Sequence, residues 1–283
     1  MKTIRNNRIF SLLCILIAVL LLAGCTESVP KDGAESSLTL DVFAVGKADA
    51  MLLVVDGYSV LIDTGENGDG DELVSALQER GIETLDLLIL THFDKDHIGG
   101  ADTILNEIPV SVVRMPAYES DSKQYAELID ALETSDAEVV RMTADATFSL
   151  GGADFVMWVS DIAYDGDNDN EQSLVTKVVY GGKTYLFAGD AEDDWLNHLC
   201  FSTRNLTCDV LKVPHHGGDD DSTFALLTVT MPSYAIVTDS IKNPADSDTL
   251  SLLNEYGVET YRTSVGAIRI TQSGASFSIG YAG

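Results

Sequence analysis

Basic side chains are scarce in this chain: 17 Lys and Arg stand against 45 Asp and Glu, a net charge of −28. Lys2, Arg5 and Arg8 take three of the 17 within the first 24 residues, where no acid occurs, so Cys25 onward holds 14 against 45, or −31. Such a surface excludes a protein that relies on general attraction to nucleic acid. It suits an exported protein in salty surroundings, or one that binds divalent cations. Histidine is sparse too, at five. Of four cysteines only Cys200 and Cys208 lie beyond residue 25, so no disulfide framework exists; one bridge or two partly buried thiols fit equally. The apolar run IFSLLCILIAVLLLAG has 16 residues, short of the roughly 20 that cross a bilayer comfortably. Short-period repeats and low-complexity segments are absent, which excludes repeat arrays.

What is present begins with that run. A basic start followed by a short apolar core reads as a secretory signal over residues 1–24. It ends in LLAGC, which resembles a bacterial lipobox, and the resemblance implies a lipid on Cys25. The expected location is extracytoplasmic, anchored to the cell membrane by acyl chains that each contribute about 0.8 kcal/mol per buried CH₂. Residues 25–37 are polar, with Pro30 and Gly33 and no periodicity, a flexible tether.

Residues 38–283 read as one domain. LTLDVFAV, AMLLVVD and YSVLIDTG are strand-like at hairpin spacing. DELVSALQERG predicts a helix ending at Gly81, LDLLIL a strand, and KQYAELIDALETS a helix. ADFVMWVS, SLVTKVVYG and KTYLFAGD are strand-like again, EDDWLNHLC helical, and DVLKVPHHG opens as a strand. Each half is a group of strands followed by strand–helix units. The pattern predicts an α/β fold, two mixed sheets face to face with helices outside.

Chemistry collects where strands end. THFDKDHIGG packs His92, Asp94, Asp96 and His97 into six positions after LDLLIL. Asp190 follows KTYLFAG, and His215 and His216 follow DVLKVP. Four of the five histidines thus fall in two turns, with only His198 elsewhere. Neutral imidazole and carboxylate in this density suit zinc, manganese or iron. His92 with Asp94 can face one ion, Asp96 with His97 a second, Asp190 both, and one of His215 or His216 closes the set. DGDNDNE (165–171) begins like a calcium loop, but Asn170 and Thr176 occupy the positions that need Gly and a bidentate Glu, which excludes it. GDDDS (218–222) reads as a solvated loop.

These turns resemble the metallo-β-lactamase superfamily, and more closely the hydrolase domain of ComEC-type competence proteins. The resemblance rests on six segments in order: AVGKADA, LIDTG, THFDKDHIGG, NEQSLV, AGDAE and LKVPHHGG. It implies an αββα sandwich of two mixed sheets and a hydrolase holding two divalent ions, zinc or manganese. His92, Asp94, Asp96, His97, Asp190 and His215 or His216 would be ligands. Asp96, His215 and Asp49 would serve catalysis, while Asp49 and Asp63 match aspartates that orient ligands. Asn170 and Ser173 stand where other members place a third His. Asp94 in place of the usual second histidine makes one site harder and favours manganese without excluding zinc.

By the same resemblance the substrate is a phosphodiester, with DNA and competence channel proteins as expected partners. The charge opposes DNA unless a basic patch forms from Lys47, Lys177, Lys183, Lys212 and Arg262. The sequence departs from the pattern at Ala48, Gly218 and Ser264, and KNPADSD keeps Pro244 but has no histidine before it. That loss puts proton delivery or substrate choice in question. It leaves room for a non-enzymatic envelope lipoprotein, or for a hydrolase of small phosphoesters or envelope polymers.

Overall fold

The computed structural model describes residues 31, 36–164, 166–218 and 221–282. The expected signal and most of the expected tether, with Cys25, lie outside these residues. No described helix is long and apolar enough to cross a membrane.

Among the described residues, eight strands form one sheet and seven a second. The first contains β1 (Leu38–Val42), β2 (Met51–Val55), β3 (Tyr58–Ile62), β4 (Leu85–Ile89), β5 (Val110–Pro116) and β6 (Glu138–Met142). The second contains β7 (Ala146–Leu150), β8 (Ala153–Trp158), β9 (Val175–Tyr180), β10 (Lys183–Phe187), β11 (Val210–Lys212), β12 (Tyr234–Val237) and β13 (Glu259–Arg262). The chain then returns to the first sheet with β14 (Ile268–Ser273), which pairs with β1, and β15 (Ser276–Tyr281). In each sheet antiparallel hairpins come first and parallel strands follow: β3 to β6 in one, β10 to β13 in the other. Parallel neighbours require crossovers, which supply most of the helices.

The helices are α1 (Gly70–Glu79), α2 (Lys95–Ile98), α3 (Ala101–Glu107), α4 (Lys123–Thr134), α5 (Asp193–Phe201), α6 (Thr223–Thr230) and α7 (Ser247–Glu255). Three apolar clusters show the layering. Leu40, Leu53, Ile62, Phe155, Val178 and Tyr185 fill the space between the sheets. Leu61, Leu77, Leu88, Ile104 and Leu128 seal α1, α3 and α4 to the first sheet. Leu186, Trp195, Leu211, Leu227 and Leu253 seal α5, α6 and α7 to the second. Because inner strands are covered on both faces, they read as continuous apolar runs such as MLLVV. The fold is the expected αββα sandwich. Cys200 and Cys208 are both buried.

Ile62 lies opposite Ile89 in the parallel pair of β3 and β4, and Phe187 opposite Lys212 in that of β10 and β11. The loops leaving these four strands carry the residues that follow. Ligands of open α/β sheets bind outside such carboxyl ends.

Candidate metal centre

The turn after β4 is stitched in place before any ligand is considered. Asp63, in the left-handed region at φ 57°, accepts from the Thr91 amide at 2.8 Å and the Thr91 hydroxyl at 2.7 Å. The amides of Asp49 and Thr64 donate to the carbonyls of Asp96 and His97 at 3.0 and 2.7 Å, and that of Gly99 to Gly65 at 2.9 Å. Gly99 is required here, since a Cβ would run into the backbone at Glu66 and Asn67. The second oxygen of Asp63 lies 2.8 Å from Nδ1 of His97. With Nδ1 held by the carboxylate, Nε2 faces inward, the usual way a carboxylate sets a ligating imidazole.

Four donors converge there. One atom each from Asp96, His97, Asp190 and His216 lies within 4.8 Å of the others. Oδ2 of Asp190 is 3.2 Å from Nε2 of His97 and 3.0 Å from Nε2 of His216, which is 3.4 Å from Oδ2 of Asp96. These contacts miss hydrogen-bond geometry: Nε2 of His92, His97 and His216 are all buried and without a hydrogen-bond partner. Three orphaned imidazole nitrogens around carboxylates would be costly as a purely structural device. The donor set, imidazole nitrogen and carboxylate oxygen, fits a divalent transition metal.

The electrostatics agree. Burial alone would lower His97 and His216, yet Asp190 with Asp63 raises His97 well above the usual imidazole range, and Asp190, Asp49 and Asp96 bring His216 to about 10. Burial would raise Asp190, but His216, His97 and Lys212 hold it well below the carboxylate range; His216 and His97 likewise bring Asp96 to about 2. The pocket is built to hold positive charge, as protons or as cations.

The other expected residues are placed differently. Nε2 of His92 is 3.7 Å from Oδ2 of Asp94, a half-exposed carboxylate, so this pair is a thinner donor set beside the main cluster. Ser173, expected at the place of a third ligand, instead accepts from the Asp190 amide at 3.1 Å and lies 3.4 Å from Nδ1 of His92. Oδ1 of Asn170 is buried without a hydrogen-bond partner. The sequence left His215 and His216 open as ligands; the structure separates them. Both adopt positive φ, 47° and 53°, which turns adjacent rings apart: His216 enters the cluster, while Nδ1 of His215 lies 2.7 Å from Glu192. His215 thus lies at the rim, outside the four converging donors. Asp49 is fully buried and touches no ion-facing nitrogen; its oxygens meet Lys212 and, at 3.4 Å, Nδ1 of His216.

Four of the five basic residues named for a patch are paired one by one. Lys212 is fully buried against Asp49, with the Gly189 carbonyl at 3.0 Å and Oδ1 of Asp190 at 3.4 Å. Lys177 donates to the Asn205 carbonyl, Lys183 pairs with Asp209, and Arg262 with Asp239. The roles of Lys212 and Glu192 escaped the sequence reading. A lysine inside the apolar strand run VLKV was the available signal for the first; Glu192 stood in AGDAE without one.

A model of the metallo-beta-lactamase superfamily matches residues 44–237, more than half of the chain. Over 246 residues the chain is 30% identical to Recombination protein 2 of Haemophilus influenzae, covering 85% of this chain and 29% of that protein. Over 253 residues it is 28% identical to Competence protein ComA of Neisseria gonorrhoeae, covering 88% and 34%. It therefore spans about a third of the length of these relatives. The metallo-beta-lactamase fold protein YhfI from Bacillus subtilis superposes with a TM-score of 0.55 at 12% identity, over 86% of this chain and 100% of that one, a likeness of fold. With the sandwich, the converging Asp96, His97, Asp190 and His216, and a family match across both sheets, this chain belongs to the metallo-beta-lactamase superfamily.

Proposed function

We propose that this chain is an extracytoplasmic, metal-dependent phosphodiester hydrolase, tied to the cell membrane through a lipid on Cys25. The observation that carries the reading is the pair of buried, unpartnered Nε2 atoms of His97 and His216 converging with Asp96 and Asp190, with the likewise unpartnered Nε2 of His92 facing Asp94. His97, Asp96, Asp190 and His216 would hold one ion of zinc or manganese, and His92 and Asp94, sharing Asp190, a second. When bound, such ions supply a water nucleophile at neutral pH and polarise the phosphoryl oxygen. Asp63 fixes His97, the Thr238 hydroxyl at 2.9 Å fixes His216, Lys212 holds Asp190, and Ser173 fixes the Asp190 loop. His215, oriented by Glu192 at the rim, is placed to hand a proton to a leaving alkoxide, general acid work worth about 10²–10⁴-fold. That assigns a donor where the sequence lacks the histidine before Pro244.

A lactam substrate is disfavoured because Ser173 and Asn170 occupy the place of a third histidine. Relatives named for competence and recombination support a link to DNA uptake, with channel proteins as partners and DNA as one candidate phosphodiester. The test is metal analysis of the purified chain together with hydrolysis of bis-p-nitrophenyl phosphate under manganese or zinc. Bound metal and turnover that Asp96→Ala abolishes are expected. Turnover equal to wild type in that variant would remove this site from catalysis and favour a binding lipoprotein.

A further inference from the structure

The metal centre and the entry of the chain lie at opposite edges of the first sheet. Asp63 and His92 follow the carboxyl ends of β3 and β4, whereas Leu38 pairs with Val55 beside the turn that opens β3. That entry is fastened. The Ser37 amide donates to Oδ1 of Asp56 at 2.9 Å, and the Asp56 amide donates to the Ser37 carbonyl at 2.9 Å. Lys31 docks on the same edge. Its amide donates to the Asp56 carbonyl at 3.0 Å, and its ammonium meets Asp86 at 2.7 Å and stands 4.9 Å over the Tyr58 ring. The dock is itself held: Asp86 accepts from the Ser59 amide at 2.8 Å, and buried Asp56 from the Tyr180 hydroxyl at 2.7 Å and the Gly152 amide at 3.0 Å.

The sequence makes residues 25–37 one free tether; with Lys31 docked, only the six residues from Cys25 to Lys31 remain free. Fully extended, six residues reach at most about 20–22 Å. From Asp86 to His92 the chain runs six residues along β4 and its continuation, about 20 Å at about 3.3 Å per residue. The rim lies farther out still, since Asp94 is half-exposed and His92 fully buried. For the centre to face the bilayer, Lys31 would have to stand more than about 20 Å above it, on a tether stretched to its limit. With the Lys31 edge toward the bilayer, the tether relaxes to about 13 Å, the mean span of a flexible chain of that length.

Resting on the lipid-anchored phosphodiesterase reading above, we propose that Lys31 clamps the tether to the edge opposite the metal centre and so turns the centre away from the anchoring bilayer, its substrate being a phosphodiester from the surrounding medium and not a phospholipid of that bilayer. Both sources carry the same reacting group; position alone separates them. In the reaction, water oxygen bonds to phosphorus, the P–O bond to one alcohol breaks, and the departing alkoxide takes up the proton released by the water.

The lipidated full-length chain, loaded with manganese, is held in phosphatidylcholine vesicles and given two p-nitrophenyl esters of phosphatidic acid. One has short acyl chains and is dissolved in water; the other has long chains and sits in the bilayer. A tether too short to span leaves an effective concentration near zero, so the dissolved ester should turn over at least about tenfold faster. Lys31→Ala frees twelve residues in place of six and should narrow that gap with the dissolved ester unchanged. A Gly/Ser insertion of about 30 residues after Thr26, with a mean span of about 30 Å, should close it. Height is read separately, by dyes on Glu83→Cys, exposed just before β4, and on Ile241→Cys, exposed three positions after the Thr238 that touches His216. The Glu83 position, about 20 Å nearer the bilayer, should transfer at least about twofold more energy to headgroup dyes. Equal turnover of the two esters by the wild type, equal transfer from the two dyes, or an unchanged gap in Lys31→Ala overturns the clamp and leaves the phosphodiesterase intact. Failure to cleave the dissolved ester with metal bound overturns the phosphodiesterase reading. Release of the chain from the vesicles overturns the lipid anchor, and the orientation with it.

Discussion

Lys212→Met tests the electrostatic design of the centre, because it removes one charge without replacing a proposed ligand. In the wild type the ammonium is fully buried against Asp49 and 3.4 Å from Asp190. Burial would lower the Lys212 pKa, yet Asp49 and Asp190 raise it, so the charge is retained. Methionine fills much the same volume but leaves two buried carboxylates without their partner. Breaking a buried pair from one side costs about 3–5 kcal/mol, a large share of the about 5–15 kcal/mol that holds a domain together. At about 2–4 °C per kcal/mol for a domain of this size, the metal-free variant should melt about 6–20 °C below wild type. A divalent ion restores the missing positive charge, so the metal-induced rise in Tm should be larger in the variant. Thermal melts in EDTA and in manganese measure both quantities. As a control, Lys183→Met breaks a half-exposed pair with Asp209 and should cost under about 1 kcal/mol. A Lys212→Met protein melting within about 2 °C of wild type in EDTA, or gaining less from metal than wild type does, would refute the reasoning.

His216→Ala should weaken manganese binding by more than about 100-fold, beyond what loss of a supporting hydrogen bond costs, whereas His215→Ala should hold the ion within about threefold and lose turnover; calorimetry and steady-state kinetics separate the two. Gly99→Ala places a methyl group against backbone of the 66–67 segment, which should cost about 1–3 kcal/mol and weaken metal binding, read by thermal melts and metal titration. In the metal-free protein His216 titrates near 10 and His97 is also raised. Folded values above the unfolded 6.5 mean that this stabilisation is complete below pH 6.5 and is lost as pH rises toward 10. The Tm of EDTA-treated protein should therefore fall from pH 6.5 to 10, and that of manganese-loaded protein should fall less; a metal-free Tm that stays level would contradict the assignment.

Strand ends, the four-layer class and the residue types of the centre were legible in the chain because they depend on local facts. LDLLIL and KTYLFAG are apolar enough to be buried strands, and a turn holding His92, Asp94, Asp96 and His97 has few uses besides ions. Strands β6, β7 and β13, which no apolar run announces, all lie at sheet edges. There one face is solvated and the apolar run thins to patterns such as ATFSL with alternate exposure. Tertiary structure alone decided three things. It turned His216 inward and His215 toward Glu192, because consecutive positive φ values cannot be read from two identical residues. It buried Lys212 among aspartates, since strand register rather than composition sets what a side chain meets. And it brought Asp121, from the loop after β5, beside Asp167 and Asp169, from the loop after β8, in one cleft with Asp96. Residue type is local and visible in one dimension; direction, neighbours and the sign of a cleft arise only when distant strand ends are brought to the same edge.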